Sequence, residues 1–137
     1  MGSSVAGALV ARGDVVVVLD DVGNGVTENV PNAATFIEGD VRSAPDIARA
    51  FDAFKESGDG SPATCVCHSA GQASTFRSFD SPSWDMEVNG VGTARMLEAA
   101  RERTISTFVF ASSMTAYGPP PALPVTEDMP CEAISYY

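Results

Sequence analysis

The stretch that decides the fold is FVFASSMTAYG, residues 108–118. Strand-forming residues 107–110 lead directly into two hydroxyl side chains, Ser112 and Ser113, as expected where a buried strand delivers polar groups at its carboxyl end. In an open parallel α/β sheet, ligands bind just beyond the carboxyl ends of the strands. The stretch therefore predicts serines in a ligand crevice, although a buried strand that ends in a serine turn explains it equally well.

Three earlier segments have the same form, a short apolar run followed by polar or small residues. They are residues 15–19 before Asp20 and Asp21, residues 35–37 before Glu38 and Asp40, and residues 63–68 before Ser69 and Gly71. The unalternating run at 15–19 predicts a strand that is buried on both faces. All four segments are therefore predicted to be strands that end in polar or small residues.

Helical patterns separate these strands. The first pattern ends at Gly13, the second starts at Pro45 and breaks at 58–62, and the third runs as one long helix from Ser81 to about Arg103. Strands that alternate with helices at this spacing imply right-handed β-α-β units. The predicted fold class is α/β, a doubly wound parallel sheet in a single domain of 137 residues.

Composition excludes several classes of function. The chain has 18 acidic and eight basic residues, a net charge of -10, so a nucleic-acid partner is not expected. No apolar run is long enough for a membrane span, which predicts a cytoplasmic protein. Cys65 and Cys67 lie on a predicted buried strand and Cys131 stands alone, which favours reduced core thiols over disulfides or a metal site.

Two single residues invite a functional interpretation. Asp20 follows a strand, where a carboxylate can accept hydrogen bonds from the ribose of a dinucleotide, but alone it is better explained as a solvated turn residue. His68 is the only histidine. A histidine at the end of a core strand is more often packed and hydrogen-bonded than catalytic, so no acid or base role is assigned to it.

Taken in order, several short motifs resemble the extended short-chain dehydrogenase/reductase family, specifically its NAD-dependent nucleotide-sugar epimerases and dehydratases. The motifs are Val18-Leu19-Asp20-Asp21, Gly39-Asp40-Val41, His68-Ser69-Ala70-Gly71, Asn89-Gly90-Val91-Gly92-Thr93, Ser112-Ser113 with Tyr117-Gly118, Leu123-Pro124 with Glu127-Asp128, and Ser135-Tyr136-Tyr137. They span nearly the whole chain. The resemblance implies a Rossmann-like domain and a nucleotide-sugar epimerase of the UDP-hexose 4-epimerase type.

The resemblance also implies a set of cofactor-binding residues for NAD. Those residues are Gly2, Asp20, Asp21, Asn24, Asp40, Val41, Ala70, Gly71 and Asn89. In this assignment Asp20 binds the adenosine ribose, supported by Asn24, and Asp40 with Val41 holds the adenine. An acid at Asp20, with no neighbouring arginine in sequence to take a 2'-phosphate, favours NAD over NADP.

Two residues are implied as catalytic. Ser113 matches the serine or threonine that hydrogen-bonds the sugar hydroxyl, and Tyr137 matches the tyrosine that removes its proton, with Tyr136 the weaker candidate. A phenol with a reference pKa of about 10 is a poor base, so the family favours the phenolate with a nearby lysine and the positive nicotinamide. The implied reaction oxidises the sugar and returns the hydride to its other face.

Departures from the family pattern predict that the chain is truncated at both ends. Only Gly2 matches the glycine turn, and the strand before it, the lysine after Tyr137 and the substrate domain are not in the sequence. Residues 1–137 are thus predicted to form a partial NAD-binding domain that is unstable, binds NAD poorly and is inactive when expressed alone. The implied partner is a nucleotide-sugar, and the resemblance allows a homodimer of the complete protein.

Two alternatives stay open beside the epimerase. A 4,6-dehydratase, like a reductase of the same family, would share the fold and cofactor, but elimination needs an acidic pair where this chain has Met114 and Thr115. A non-catalytic NAD-binding module is the second alternative. A module that only binds NAD does not need both Ser113 and Tyr137, so the presence of both residues argues against this alternative.

Overall fold

The computed structural model describes residues 1–58 and 60–137. Helices and strands are interleaved along it, although only a 3-10 turn, Thr27–Asn29, separates the first two strands. The helices are α1 (Gly2–Arg12), α2 (Ala44–Ser57), α3 (Thr75–Asp80), α4 (Pro82–Met86) and α5 (Gly92–Glu102), and the strands are β1 (Val17–Asp20), β2 (Thr35–Glu38), β3 (Cys65–His68) and β4 (Thr107–Phe110). Every predicted strand is present, with its bounds shifted by two residues or fewer.

All strand pairs in the described residues are parallel, as predicted. β1 pairs with β2, so that Asp20 lies opposite Glu38. β3 pairs with β4, so that His68 lies opposite Phe110. Because paired parallel strands end at the same edge, the polar residues that follow each pair lie side by side.

A cleft of about 1100 Å³ lies between the two strand pairs, lined on one side by β1 and on the other by β3. Three predictions of burial were wrong, two of them at strands that border this cleft. The strand before Ser112 and Ser113 is not buried, since Val109 is 51% and Phe110 is 54% exposed. The run at 15–19 is not buried on both faces, since Val15 is 43% exposed although Val16 is buried. Cys65 and Cys67 are free thiols, but they are exposed rather than part of the core.

The main core lies where α2 and α5 meet the strands. Ile47, Phe51 and Ala99 form its buried centre, and partly buried side chains such as Leu19 and Val66 pack against it. The i, i+4 spacing of Ile47 and Phe51 places both on the face of α2 that contacts this core. Burial of large side chains here contributes about 1.5 to 3 kcal/mol each.

Local signals for helix ends were informative. Gly13 adopts the left-handed conformation (φ 93°) and its N–H bonds to the last turn of α1, as predicted for a C-cap. The second helix begins at Ala44, one residue before the predicted start, because Ser43 Oγ accepts the N–H of Asp46. The predicted break at 58–62 includes Asp59, which lies outside the described residues.

The prediction of one long helix from Ser81 to Arg103 was wrong. A π-helical turn, Glu87–Val91, separates α4 from α5. Asn89 and Gly90 are poor helix formers, and both fall inside this turn. Such turns commonly occur at functional sites. Before it, α3 is an additional short helix whose first turn is capped by Ser74.

Among the described residues, the helices are all too short or too polar to cross a membrane.

Candidate functional site

A polar pocket of about 160 Å³ lies at the carboxyl ends of β1 and β2 and beside the loop after β3. It brings together most of the residues predicted to bind the cofactor. These are Asp20, Asp21, Asn24, Asp40, Val41, Ala70 and Gly71. Trp84 and Val88, from α4 and the π-helical turn, add apolar surface to its lining. The pocket therefore combines hydrogen-bonding groups with apolar side chains, as ligand sites in proteins usually do.

The two aspartates after β1 shape a tight turn. Asp20 Oδ1 accepts the N–H of Val22 at 2.8 Å, and Asp21 Oδ1 accepts the N–H of Gly23 at 2.9 Å. Val22 has a positive φ of 56°, which these side-chain bonds help to hold. Asp20 Oδ2 has no hydrogen-bond partner in residues 1–58 and 60–137. The exposed Asp20 carboxylate thus retains an oxygen that can accept a ligand hydroxyl.

Asp40 at the end of β2 is paired with Arg42. The guanidinium donates to both carboxylate oxygens, with Nη2 2.6 Å from Oδ2, and the backbone N–H of Arg42 donates to Oδ1 at 2.7 Å. These bonds hold the pKa of Asp40 below its usual range. Arg42 Nη1 also lies 3.7 Å from Glu87 Oε2. The positive charge of Arg42 is therefore balanced by the two carboxylates beside it.

The loop after β3 comes close to its neighbours through small residues. A side chain at Gly71 would place its Cβ only 3.0 Å from Asn89 Oδ1. A side chain at Gly2 would lie 3.4 Å from Ser69 Oγ, which puts the N-terminus of α1 beside the same loop. The N-terminal end of a helix is favourable for negative groups such as phosphates. Gly71 is thus part of this loop, and Gly2 and Asn89 are adjacent to it.

A buried network of polar side chains holds this loop from behind. Asn89 Oδ1 accepts the N–H of Gln72 at 2.8 Å, and Asn89 Nδ2 donates to the carbonyl of Gln72 at 3.0 Å and to Asp85 Oδ1 at 3.1 Å. Asp85 Oδ1 also accepts from Gln72 Nε2 at 2.5 Å, and Asp85 Oδ2 accepts from Ser78 Oγ at 3.2 Å. Both hydrogens of Asn89 Nδ2 are therefore used inside the protein.

His68 is packed, as predicted. It is 3% exposed, its ring lies 5.8 Å from that of Phe108 and 6.0 Å from that of Phe110, and burial lowers its pKa. Its Nε2 lies 3.0 Å from Thr93 Oγ1. Thr93 Oγ1 donates to the carbonyl of Asn89 at 2.6 Å, so the neutral histidine with its proton on Nε2 fits this pair. The histidine is therefore linked to the buried network, and nothing in its surroundings requires acid or base work.

Ser113 follows β4 and begins a 3-10 turn, Met114–Tyr117. Its Oγ accepts both the N–H of Thr115 at 3.3 Å and the hydroxyl of Thr115 at 2.9 Å. Because both bonds use lone pairs of Ser113, its own O–H is left to donate to a ligand oxygen. Ser113 is thus oriented by its own turn, but neither it nor Ser112 lines the cleft or the polar pocket described above, contrary to the prediction of a crevice position.

The segment before Tyr137 approaches Gly118, which follows the 3-10 turn after β4. Gly118 has a φ of 63°, and a Cβ there would overlap the carbonyl oxygen of Glu132. The side chain of Tyr136 is 61% exposed and packs edge-on against Phe79 at 6.0 Å. Tyr137 is half-buried, and its carbonyl accepts from Ser135 Oγ at 3.3 Å. No hydrogen bond joins Ser113 to Tyr137 in the part of the chain that the structure describes.

Three residues of this region were missed by the sequence reasoning. Arg42 is two residues from Asp40 and was a readable candidate for an ion pair. Asp85 lies four residues before Asn89, the spacing that places two side chains on one helix face. Gln72 is buried only because the loop folds against the π-helical turn, so no local sequence signal marks it.

Comparisons with known proteins agree with this geometry. The family model described as "NAD dependent epimerase/dehydratase family" matches residues 1–137. The chain is 38% identical to UDP-glucose 4-epimerase of Mycolicibacterium smegmatis over all of its length and 31% identical to that of Corynebacterium glutamicum. It spans 43% and 39% of the lengths of these two relatives.

Solved structures give the same result. A Thermus thermophilus UDP-glucose 4-epimerase, crystallised as a complex with NAD, superposes on 99% of the chain with a TM-score of 0.87 and 37% identity. The Thermotoga maritima enzyme, crystallised with UDP-glucose, superposes on 99% with a TM-score of 0.88 and 30% identity. Each match covers 42% of the solved chain. The predicted Rossmann-like α/β fold is thereby confirmed, and the chain belongs to the NAD dependent epimerase/dehydratase family.

Proposed function

We propose that this chain supplies the NAD-binding part of a nucleotide-sugar epimerase of the UDP-glucose 4-epimerase type. The observation that carries the proposal is the 160 Å³ polar pocket, where the ends of β1 and β2 meet the loop after β3. Three separate segments contribute predicted cofactor residues to this one pocket. The NAD named with the Thermus thermophilus structure and the UDP-glucose named with the Thermotoga maritima structure support the same ligands here.

The pocket suits the adenosine half of NAD. Asp20 Oδ2 is available for a ribose hydroxyl, and Val41 with Trp84 provides apolar surface for adenine. The carboxylate of Asp40 has about four lone-pair sites, and Arg42 already donates hydrogen bonds to both of its oxygens. An adenine amino group that donates to Asp40 would therefore compete with Arg42. Because Arg42 is already paired with Asp40 and lies near Glu87, it is a weak partner for a 2'-phosphate. These contacts favour NAD over NADP.

The loop after β3 suits the remainder of the dinucleotide. Ala70 and Gly71 carry little or no side chain, so a ligand can approach their backbone closely. Gly2 at the N-terminus of α1 lies beside Ser69, where the helix dipole would favour the pyrophosphate. In this arrangement Asn89 acts behind the loop, because its side chain is already bonded to Gln72 and Asp85.

The chemistry assigns separate roles to two side chains. NAD, when bound, supplies the acceptor and later the donor of the hydride. Ser113 donates a hydrogen bond from its O–H to the oxygen of the sugar hydroxyl whose carbon is oxidised, because the lone pairs of Ser113 are occupied by Thr115. Tyr137 removes the proton of this sugar hydroxyl and returns a proton after the keto-sugar has turned over in the site. General acid–base transfer of this kind contributes about 10² to 10⁴-fold in rate.

The test is the reaction of the full-length product of the gene that encodes this chain. UDP-galactose is incubated with the purified protein and NAD, and the nucleotide-sugars are separated and weighed by mass spectrometry. The proposal predicts UDP-glucose, which has the mass of the substrate. A product lighter by one water would instead identify a dehydratase, and NAD binding without turnover would identify a non-catalytic module.

A further inference from the structure

The carboxylate of Asp85 is the most buried ionisable side chain of the described residues, with 0% exposure. It is the fourth of the five residues of α4 and faces inward. Its oxygens accept hydrogen bonds from Gln72, Asn89 and Ser78, and no Lys, Arg or His pairs with it in residues 1–58 and 60–137. A buried carboxylate that lacks a cationic partner is costly to keep, so its hydrogen bonds must offset that cost.

The partners of Asp85 all lie around one loop. Gln72, 4% exposed, donates Nε2 to Asp85 and to the carbonyl of Ser74 at 3.0 Å, while its Oε1 accepts the N–H of Ser74. Asn89 clamps the backbone of Gln72 on both its N–H and its carbonyl. The side chain and the backbone of Gln72 are therefore fixed together, and Asp85 Oδ1 is the acceptor that Gln72 and Asn89 share.

This shared acceptor sits directly behind the ligand-facing part of the loop. Gln72 follows Ala70 and Gly71, which line the polar pocket, and the other end of the loop is held by the contact of His68 with Thr93. With both ends tied, the backbone of Ala70 and Gly71 has little freedom. Binding geometry that is held in advance in this way depends on the residues behind the site.

We propose that Asp85 is a positioning residue that fixes the Ala70–Gly71 backbone in the geometry that NAD binds. The inference rests on the proposed function, because the ligand of this loop is assigned there. Asp85 does not line the pocket, so its effect on binding would come from the hydrogen bonds that it accepts and not from contact with the ligand.

Three variants separate acceptance from charge and volume. Asp85→Asn keeps an acceptor oxygen for Gln72 and Asn89, and its amide can donate to Ser78 Oγ. Asp85→Leu keeps the volume and removes every acceptor, and Asp85→Ala removes both. Asp52→Asn, an exposed carboxylate on α2, is the control for an unrelated charge change.

The first readout is amide hydrogen exchange of the full-length gene product without ligand. Leucine and alanine at position 85 should speed exchange of the Gln72 amide by about tenfold or more, because loss of a buried hydrogen bond lowers the cost of local opening. The asparagine variant should keep the protection of the parent. Equal protection in all four variants would overturn the proposal.

The second readout is the affinity for NAD, measured by titration calorimetry. Asp85→Leu should bind NAD about tenfold more weakly, while Asp85→Asn and Asp52→Asn should stay within about twofold of the parent. An Asp85→Asn variant that loses as much affinity as Asp85→Leu, or an Asp85→Leu variant that binds NAD like the parent, would overturn the positioning role. A parent protein that does not bind NAD would contradict the proposed function itself, and so would be distinguished from a failure confined to Asp85.

Discussion

The side chain of Asn89 grips the backbone of Gln72 at two points, with Oδ1 2.8 Å from its N–H and Nδ2 3.0 Å from its carbonyl oxygen. This pair joins the π-helical turn to the loop after β3. A π-helical turn contains one residue more than an α-helical turn, and this changes the direction in which Asn89 projects from the helix. The hydrogen bonds of Asn89 to Gln72 therefore depend on the π-helical turn. The loop that lines the polar pocket is consequently held from the side opposite to the ligand.

Asp20→Ala is expected to weaken NAD binding by the full-length gene product by about 1 to 3 kcal/mol, because the ribose hydroxyls lose their acceptor. Titration calorimetry measures this change. Asp52→Ala on α2 is the matched control, since it removes an exposed carboxylate that does not line the pocket. If the Asp20 and Asp52 variants bound NAD equally well, the ribose assignment would be wrong.

Tyr137→Phe and Ser113→Ala are each expected to lower turnover by about a hundredfold or more while NAD affinity changes little, because both groups act on the transferring proton. Steady-state kinetics and calorimetry on the same preparations separate the two effects. Tyr136→Phe is the control, since its ring packs against Phe79 at the surface and should matter little. A severe loss in Tyr136→Phe with a mild one in Tyr137→Phe would exchange their roles.

Gly118→Ala is expected to destabilise the full-length gene product by about 1 to 3 kcal/mol, because φ 63° with ψ −151° belongs to a region that is essentially restricted to glycine and the new Cβ would meet the carbonyl of Glu132. Urea unfolding measures the change. Gly7→Ala is the control, since no atom lies within 4 Å of the added Cβ and alanine is the better helix former. Two variants of equal stability would contradict the close approach at Gly118.

His68 predicts a pH dependence of stability. Burial lowers its pKa in the folded state, whereas the unfolded chain has the ordinary value of about 6.5, so between these values the unfolded state binds more protons. The free energy of unfolding should therefore be highest above about pH 6.5 and should fall as the pH drops toward the folded pKa. Carboxylates with lowered pKa values, such as Asp40, reduce the free energy of unfolding only when they are protonated, below about pH 4.

His68→Gln tests this effect, because glutamine can still donate to Thr93 but does not titrate. Urea unfolding of parent and variant between about pH 7 and about pH 5 should show a smaller decline for the variant. Parallel curves over this range would show that His68 does not titrate differently in the folded and unfolded states.

Strand positions were predictable because apolar runs and the small or polar residues after them are local signals, as in residues 107–113. Burial was less predictable. The run at 15–19 and the thiols of Cys65 and Cys67 look like core, but they border the cleft between the strand pairs, which is a property of the tertiary arrangement. The π-helical turn was not predicted, because the spacing of apolar residues in a helix is nearly unchanged by a single inserted residue.

Site residues divided in the same way. The aspartates that end strands could be read from their place in the sequence, and the pocket brings them together with Ala70 and Gly71. The pairing of Asp40 with Arg42 and the burial of Asp85 depend on side-chain contacts that a strand-and-helix pattern does not contain. Which residues touch the cofactor and substrate stays a prediction.

The central claim is that NAD binds with its adenine in the polar pocket at the ends of β1 and β2. Photolabelling with an NAD analogue that carries an azide on the adenine, followed by peptide mass spectrometry of the full-length gene product, tests it most directly. The account predicts labelled peptides that contain residues 39–41 or 84–88, with the labelling abolished by excess NAD. NAD-protected labelling confined to peptides outside the pocket would contradict it.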